Sequence, residues 1–431
     1  MTRLETGGSA THQPRGPVIV VLAILGYHGF TLTINGVAAP GIMGRFDLGE
    51  QGIAELFAWI SVSALGSLFL ARLGDRVGRH RVLLWCMIGS PLWAIGAGMS
   101  ESVWMFAIFE VLLFSFAGAA VASSIVWISE TLPTGYRATG QGYGGMAVGM
   151  GAGLCVLLMP LLDSTDLSWR WLLFISGAGV LGLPLIVWKL HETGSGPAKL
   201  DGIKEEQGVL GVFGQRHRRH AVALLVCSVL VTAALTTANP WRYFHAVTVV
   251  GLSPAATSMI LLASGGLAMV GFPLGATLCD RIGRVPTVAG FALLTAIGIG
   301  SSYWGPPSGF AYPLLWLGLG YFWFGLASNA MTVGENCAAT ELFPPAVRGT
   351  MAGWFHLVGA FAQISAQATV ATLATGLGGI SNVVGCLGLL GLPVALIYVV
   401  FVQETRGLPA LADTVGKGIG ARQSHQGPRN Q

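Results

Sequence analysis

Charge is what this sequence has least of. Only 10% of its 431 residues are Asp, Glu, Lys or Arg, whereas soluble domains carry about 25%. A chain so poor in charge cannot cover a water-facing surface, so lipid is its expected solvent. The formal charge of +4 comes from short loops and gives no ground for a nucleic-acid partner. Catalytic signatures are missing too. There is no HExxH, no GxSxG elbow and no pair of intramembrane aspartates. No Walker motif is present. Neither an enzyme nor a directly ATP-driven pump is expected, and an external ATPase subunit would be the only route to ATP drive. The six cysteines are Cys86, Cys155, Cys227, Cys279, Cys337 and Cys386. All sit in apolar stretches without CxxC or metal-ligand spacing. They read as packing residues, and no metal or cofactor is expected. A cleavable leader is not evident either, because the first apolar stretch, 17–39, is long enough to span.

What the chain does have is hydrophobicity. Its residues are 53% hydrophobic, and the mean hydropathy is +0.67. The 63 glycines fit helices that approach closely in lipid. A helix needs about 20 apolar residues to cross the hydrocarbon core. Six such spans fall near 17–39, 52–72, 82–100, 102–129, 139–162 and 169–190. A polar segment, 191–220, separates them from six more, near 221–247, 254–277, 286–304, 310–338, 350–374 and 380–402. The organisation expected is a tail at 1–16, a bundle at 17–190, a linker at 191–220, a bundle at 221–403 and a tail at 404–431. Of the 23 lysines and arginines, all but Arg45, Arg170 and Arg242 fall in the tails, in the linker or its flanks, or at the even-to-odd loops within each half. The positive-inside rule then puts both termini in the cytoplasm of a multi-pass cell-membrane protein.

The halves repeat one another. Gly74-Asp75-Arg76-Val77-Gly78-Arg79 returns as Cys279-Asp280-Arg281-Ile282-Gly283-Arg284. Glu130, Pro133 and Arg137 return as Glu341, Pro344 and Arg348, and Glu192-Thr193 as Glu404-Thr405. Landmarks at nearly constant offset indicate two six-helix halves of the same orientation. Such parallel repeats work by rocking around a central site.

The paired DRxGR loops resemble the signature loop of the major facilitator superfamily. The E-x-x-P-x-x-x-R ends of spans 4 and 10, and Gln403-Glu404-Thr405-Arg406-Gly407-Leu408 after span 12, resemble its sugar-porter and metabolite:proton symporter branches. One departure is alanine, at Ala71 and Ala276, where the signature loop opens on glycine. The resemblance implies an all-α membrane protein of twelve transmembrane helices in two pseudo-symmetric six-helix bundles. It also implies gating charges: Asp75, Arg76, Arg79, Glu130 and Arg137 in one half, and Asp280, Arg281, Arg284, Glu341 and Arg348 in the other. A plain topology signal with surface ion pairs, each worth about 0–1 kcal/mol, is the alternative.

Ionisable groups inside spans are costly and are functional candidates. His28 lies in Gly26-Tyr27-His28-Gly29, which resembles the Gly-Tyr-Asp of sugar porters, where the Asp is linked to the proton. Glu110 stands where that pattern has the partner arginine. His28 and Glu110 are therefore expected as a charge-swapped proton-coupling pair, with Glu335 as a second titratable site or a gate group. The alternative has His28 bonding backbone and Glu110 at the outer interface. Arg242 follows Asn239-Pro240-Trp241, where proline is expected to break span 7. An arginine there suits a carboxylate or phosphate, or else snorkels to the interface. Asn35, Asn239, Asn329, His356, Gln363 and Gln367 complete the expected polar wall, with Trp127, Tyr321 and Trp354 as aromatic walls. The span 7 stretch CSVLVTAALTTANP lacks the glutamine-rich pattern of sugar porters, which argues against a hexose.

The function expected is secondary active transport of a small organic solute, an organic acid or related metabolite, coupled to protons, by a monomer. An exporter of drug-like compounds is the first alternative, and a non-transporting sensor the second. Epitope tags fused to the two ends should both be reached by antibody only after the cytoplasmic side is opened. Labelling of one end in intact cells contradicts the even span count.

Overall fold

The computed structural model describes residues 15–132, 137–164, 168–184, 213, 218–305, 312–343 and 345–406. The tails and most of the linker fall outside the described residues, as do the side chains of Asp75, Glu130, Arg137 and Arg348.

Apolar runs this long can satisfy their backbone in lipid only by folding into helices. Spans 1, 3, 4 and 5 are single helices, Arg15–Phe46, Arg79–Gly98, Val103–Thr131 and Arg137–Ser164. Span 2 is a pair, Glu50–Ser61 and Ser63–Val77. Span 6 starts as Arg170–Gly177 and tightens into the 3-10 stretch Ala178–Gly182. In the second half, span 7 runs Arg218–Phe244 and loosens into the π-helical turn His245–Val249. Span 8 is again a pair, Pro254–Ala268 and Gly271–Ile282. Spans 9, 10 and 11 are Arg284–Tyr303, Pro313–Glu341 and Pro345–Leu373. Span 12 is Ile380–Gly388 with Gly391–Phe401. Each expected span thus coincides with a helix or a broken pair. Among the described residues, 9 of these segments are long and apolar enough to cross a bilayer.

Spans 2 and 8 break at corresponding places, Val62 and Met269–Val270. Span 7 departs from expectation, because its helix passes through Pro240 unbroken. Pro240 has no N–H to give the Thr236 carbonyl one turn earlier. The Gln367 Nε2 of span 11 donates to that carbonyl instead, at 2.8 Å. A neighbouring side chain closes the gap that would otherwise unwind the helix.

Two glycines bend the signature loops. Gly78 and Gly283 have φ of 99° and 109°, a region that side chains disfavour. Each ends one helix and begins the next, which turns span 2 into 3 and span 8 into 9. These loops define one end of the molecule, and Glu50, Ser100 and Ile380 lie at the far end. There, one core cluster draws on both halves: Ile34 and Phe57 from the first, Trp241, Val370 and Ile380 from the second. Phe57 stacks on Trp241 with ring centroids 4.6 Å apart, and Glu50 Oε2 accepts from the Ile380 N–H at 3.3 Å. A second cluster, with Val288, Phe343 and Tyr398, lies within the second half.

Spans 1 and 5 cross at glycine. A Cβ on Gly151 would stand 1.8 Å from the Gly26 carbonyl oxygen, a distance that backbone atoms cannot tolerate. Gly151→Ala should therefore lower apparent thermal stability by about 1–3 kcal/mol, the usual cost of overpacking. Gly142→Ala, with nothing within 4 Å of its Cβ position, should leave it unchanged. Equal melting temperatures for the two variants in detergent would show that the crossing is looser than described.

Candidate functional site

Between the halves lies a cavity of about 1460 Å³. Its wall combines spans 1, 2, 4, 5 and 6 with spans 7, 8, 10 and 11. Six of the expected polar residues line it: Asn35, Asn239, Arg242, Asn329, Gln363 and Gln367. So do Tyr27, Phe30, Phe57, Phe114, Tyr243 and Phe272, which supply aromatic faces. Arg242 is the one charged side chain among the described lining residues.

Arg242 is held by its own helix and by span 10. Nη2 donates to Asn239 Oδ1, and Asn239 Nδ2 donates to the Leu235 carbonyl at 3.0 Å. Its guanidinium lies 4.4 Å from the Phe324 ring centroid and 6.0 Å from that of Tyr321. Ring faces attract a cation without neutralising it. Among the described residues no carboxylate forms an ion pair with Arg242. The cavity thus presents an uncompensated positive charge in apolar surroundings.

The expected His28–Glu110 pair is not assembled. His28 Nδ1 contacts the Ile24 carbonyl at 2.8 Å, and Nε2 contacts Ser90 Oγ at 3.0 Å. Glu110 faces Asn35, whose Nδ2 donates to Oε2 at 2.8 Å. Asn35 is seven residues beyond His28, a displacement of about 10 Å along the helix. Glu110 is fully buried and not at an outer interface, while its Oε1 has no partner. Asn35 lines the cavity and Glu110 does not, so the amide stands between the carboxyl and the cavity. Glu335 lies near Cys227 and Tyr398, away from the cavity lining.

Four further candidates also lie elsewhere. Trp127 is buried with Val21, Leu25 and Ile128. Tyr321 is buried, and its hydroxyl donates to the Arg242 carbonyl at 2.9 Å. It thus supports the cavity arginine from behind. Trp354 packs edge-on against Phe213, 5.4 Å away. His356 lies nearer the loop end, in the field of Arg72. The sequence carried no signal for Phe57 and Thr236, while Tyr243 shares the face of Asn239 four residues before it and Glu404 belongs to the Glu-Thr landmark after span 12.

Of the expected gating charges, Arg284 is bidentate on Glu341, with Nε–Oε2 3.0 Å and Nη2–Oε1 2.8 Å. Arg284 also stands 3.5 Å from Asp280. Arg76 and Arg281 are exposed and Arg79 is half-buried. The Thr405 hydroxyl bonds Glu341. Glu404 accepts from the backbone N–H groups of Arg284, Val285, Thr405 and Arg406. Burial works against its charge, but those four donors prevail and hold its carboxyl below the ordinary carboxylate range. This lattice ties spans 8, 9, 10 and 12 together and lies wholly within the second half.

Comparison with known proteins fits this geometry. A D-xylose-proton symporter has the same fold, with a TM-score of 0.71 at 18% identity, over 92% of this chain and 99% of that one. A gentisate transporter of Corynebacterium glutamicum is 23% identical, covering 79% of this chain and 77% of its own. A cis,cis-muconate transport protein of Acinetobacter baylyi is 24% identical, covering 79% and 83%. Residues 21–367 match the sequence profile of the Major Facilitator Superfamily. Helical spans in two halves around a shared cavity, with that match over most of the chain, place this protein in the Major Facilitator Superfamily, among transporters of small organic solutes.

Proposed function

We propose that the chain carries a small organic carboxylate, of the aromatic or unsaturated acid type, across the cell membrane by alternating access. The observation that carries this reading is Arg242, a cavity cation with no counter-ion among the described residues. A guanidinium on a carboxylate makes charge-assisted, two-pronged bonds, and the surrounding aromatic faces suit an apolar acid body. Relatives named for gentisate and cis,cis-muconate transport agree with that chemistry. Both termini face the cytoplasm, as the loop charges imply.

Transport is coupled to protons through Glu110 in this reading. Its carboxyl is one hydrogen bond behind the cavity, at Asn35. When ionised it accepts from the Asn35 amide, and when protonated it offers a donor. The amide contact therefore differs between the two states, and a bound anion beside it feels the difference. Asp280, Arg284, Glu341 and Glu404 act as the hinge-side lattice that keeps the second half rigid while the halves rock.

Binding of benzoate and gentisate to purified protein tests the first part. Arg242→Gln should weaken both by about 10–100-fold, the worth of a charged hydrogen bond. Arg242→Lys should recover only part, because a point charge replaces a fork. Undiminished affinity in Arg242→Gln would sink the carboxylate assignment.

For the second part, uptake into proteoliposomes is measured with and without an inward proton gradient. In Glu110→Gln the gradient should no longer accelerate uptake, while exchange across equal pH persists. A gradient response matching that of the unaltered protein would remove Glu110 from coupling.

A further inference from the structure

At the loop end of the second half, spans 7 and 12 leave a groove of about 620 Å³ that shares no lining residue with the central cavity. Its walls are Val222 and Val226 of span 7 with Ile397 and Phe401 of span 12. Val222, Val226 and Phe401 are exposed although apolar, so the groove opens toward lipid.

One end of this groove is cationic. Arg218 and Arg219 begin span 7, and both line it. The Arg219 guanidinium is fixed there. Its Nη2 donates to the Val400 carbonyl at 2.7 Å, and its carbon lies 5.4 Å from the Phe401 ring centroid. That carbonyl is among the last of span 12, which find no partner within their own helix. The contact uses one of the five N–H donors of a guanidinium. Arg218 is exposed, and among the described residues neither arginine forms an ion pair. Nor do the two charges serve span 7 itself. The start of a helix favours acids and disfavours cations, and the first turn of span 7 holds no acid.

Two uncompensated guanidinium groups above a lipid-facing apolar groove call for a ligand with an anionic head and a hydrocarbon body. We propose that an anionic phospholipid binds here, its phosphate on Arg218 and Arg219 and one acyl chain along Val222, Val226 and Ile397. Arg218, Val222 and Val226 recur every four residues and so share one helical face. Arg218 and Val226 are eight residues apart, about 12 Å of rise. One leaflet of hydrocarbon is about 15 Å deep, so the groove follows a chain through most of it. The linker does not fill this place with Phe213, which packs on Trp354 of span 11 instead. In the proposed orientation the groove lies in the cytoplasmic leaflet, where anionic lipids attract basic side chains. A lipid bound there ties the start of span 7 to the end of span 12, three residues before Glu404 and its lattice.

Native mass spectrometry of the purified protein in mild detergent, with equimolar dioleoylphosphatidylglycerol and dioleoylphosphatidylcholine, tests this whichever way the chain is oriented. Phosphatidylglycerol should be retained in about three- to tenfold excess, the effect of one or two arginines on a charged headgroup. Arg218→Gln removes a side chain with no ion pair among the described residues, so the fold should survive, and the excess should fall at least about threefold. Val226→Trp fills the groove without changing charge and should lower retention of phosphatidylglycerol as well. Arg81→Gln, at an exposed arginine of the first half, should not. Glycerol phosphate, which has the head and no chain, should not displace the lipid at equal concentration. The proposal is overturned by equal retention of the two lipids, by the same loss in Arg81→Gln as in Arg218→Gln, or by displacement with glycerol phosphate. A dimer that Val226→Trp abolishes while lipid retention stays unchanged overturns it too, and gives the groove to a second copy of the chain.

Discussion

Pro240 cannot give the Thr236 carbonyl a hydrogen bond, and in a lipid-buried helix water is not there to replace it. Much of the centre of this molecule is arranged around that gap. Gln367 fills it from span 11, which pins span 11 to span 7 beside the cavity. The Pro240 carbonyl meets span 1 at Gly36, where a Cβ would come within 2.8 Å of it. The next residue, Trp241, is fully buried and stacks on Phe57 of span 2. The one after, Arg242, is delivered to the cavity wall. A single missing N–H therefore organises a contact between the halves, a wall amide and the placement of the cavity cation.

Features carried by chemistry were legible in the sequence. The signature loops announced themselves because only glycine tolerates the φ of Gly78 and Gly283, and because charge is rare everywhere else in the chain. The spans were legible because hydropathy alone demands them. The amides Asn35, Gln363 and Gln367 line the cavity, the last two four residues apart on one helical stripe. The same reasoning failed for His356. It lies on the stripe of Gln363, yet the cavity wall does not extend that far along span 11. Helical phase fixes a direction around the axis but not how far the cavity runs along it. Trp127 and Trp354 failed for a related reason, because aromatic type does not say which of several helix faces a neighbour covers. The unbroken passage through Pro240 was illegible because its remedy sits 127 residues later, in a glutamine that looked like a binding residue only. Glu110 was recognised, but its partner was sought at His28. Sequence similarity supplied the position and could not supply the two helical turns that bring Asn35 there instead.

The described bonds are distributed unequally, and that bears on how a carrier of this design moves. Within the second half, Arg284, Glu341, Thr405 and Glu404 form a continuous set of charge-assisted bonds. Each is roughly twice as strong as a neutral hydrogen bond, and several share members. Between the halves, at the far end, the described contacts are mainly apolar, through the core cluster that both halves share. The Phe57–Trp241 stack is of the kind worth about 0.5–1.5 kcal/mol, and the Glu50–Ile380 bond is long, at 3.3 Å. Charge-assisted bonds concentrated within a half, with apolar packing across the seam, favour movement of whole halves over internal deformation. The proposed alternating access sets a further constraint on the seam. A ligand can shift an equilibrium only by the difference in its affinity for the two states. In the proposed reading, one carboxylate on Arg242 supplies at most a few kcal/mol of that difference.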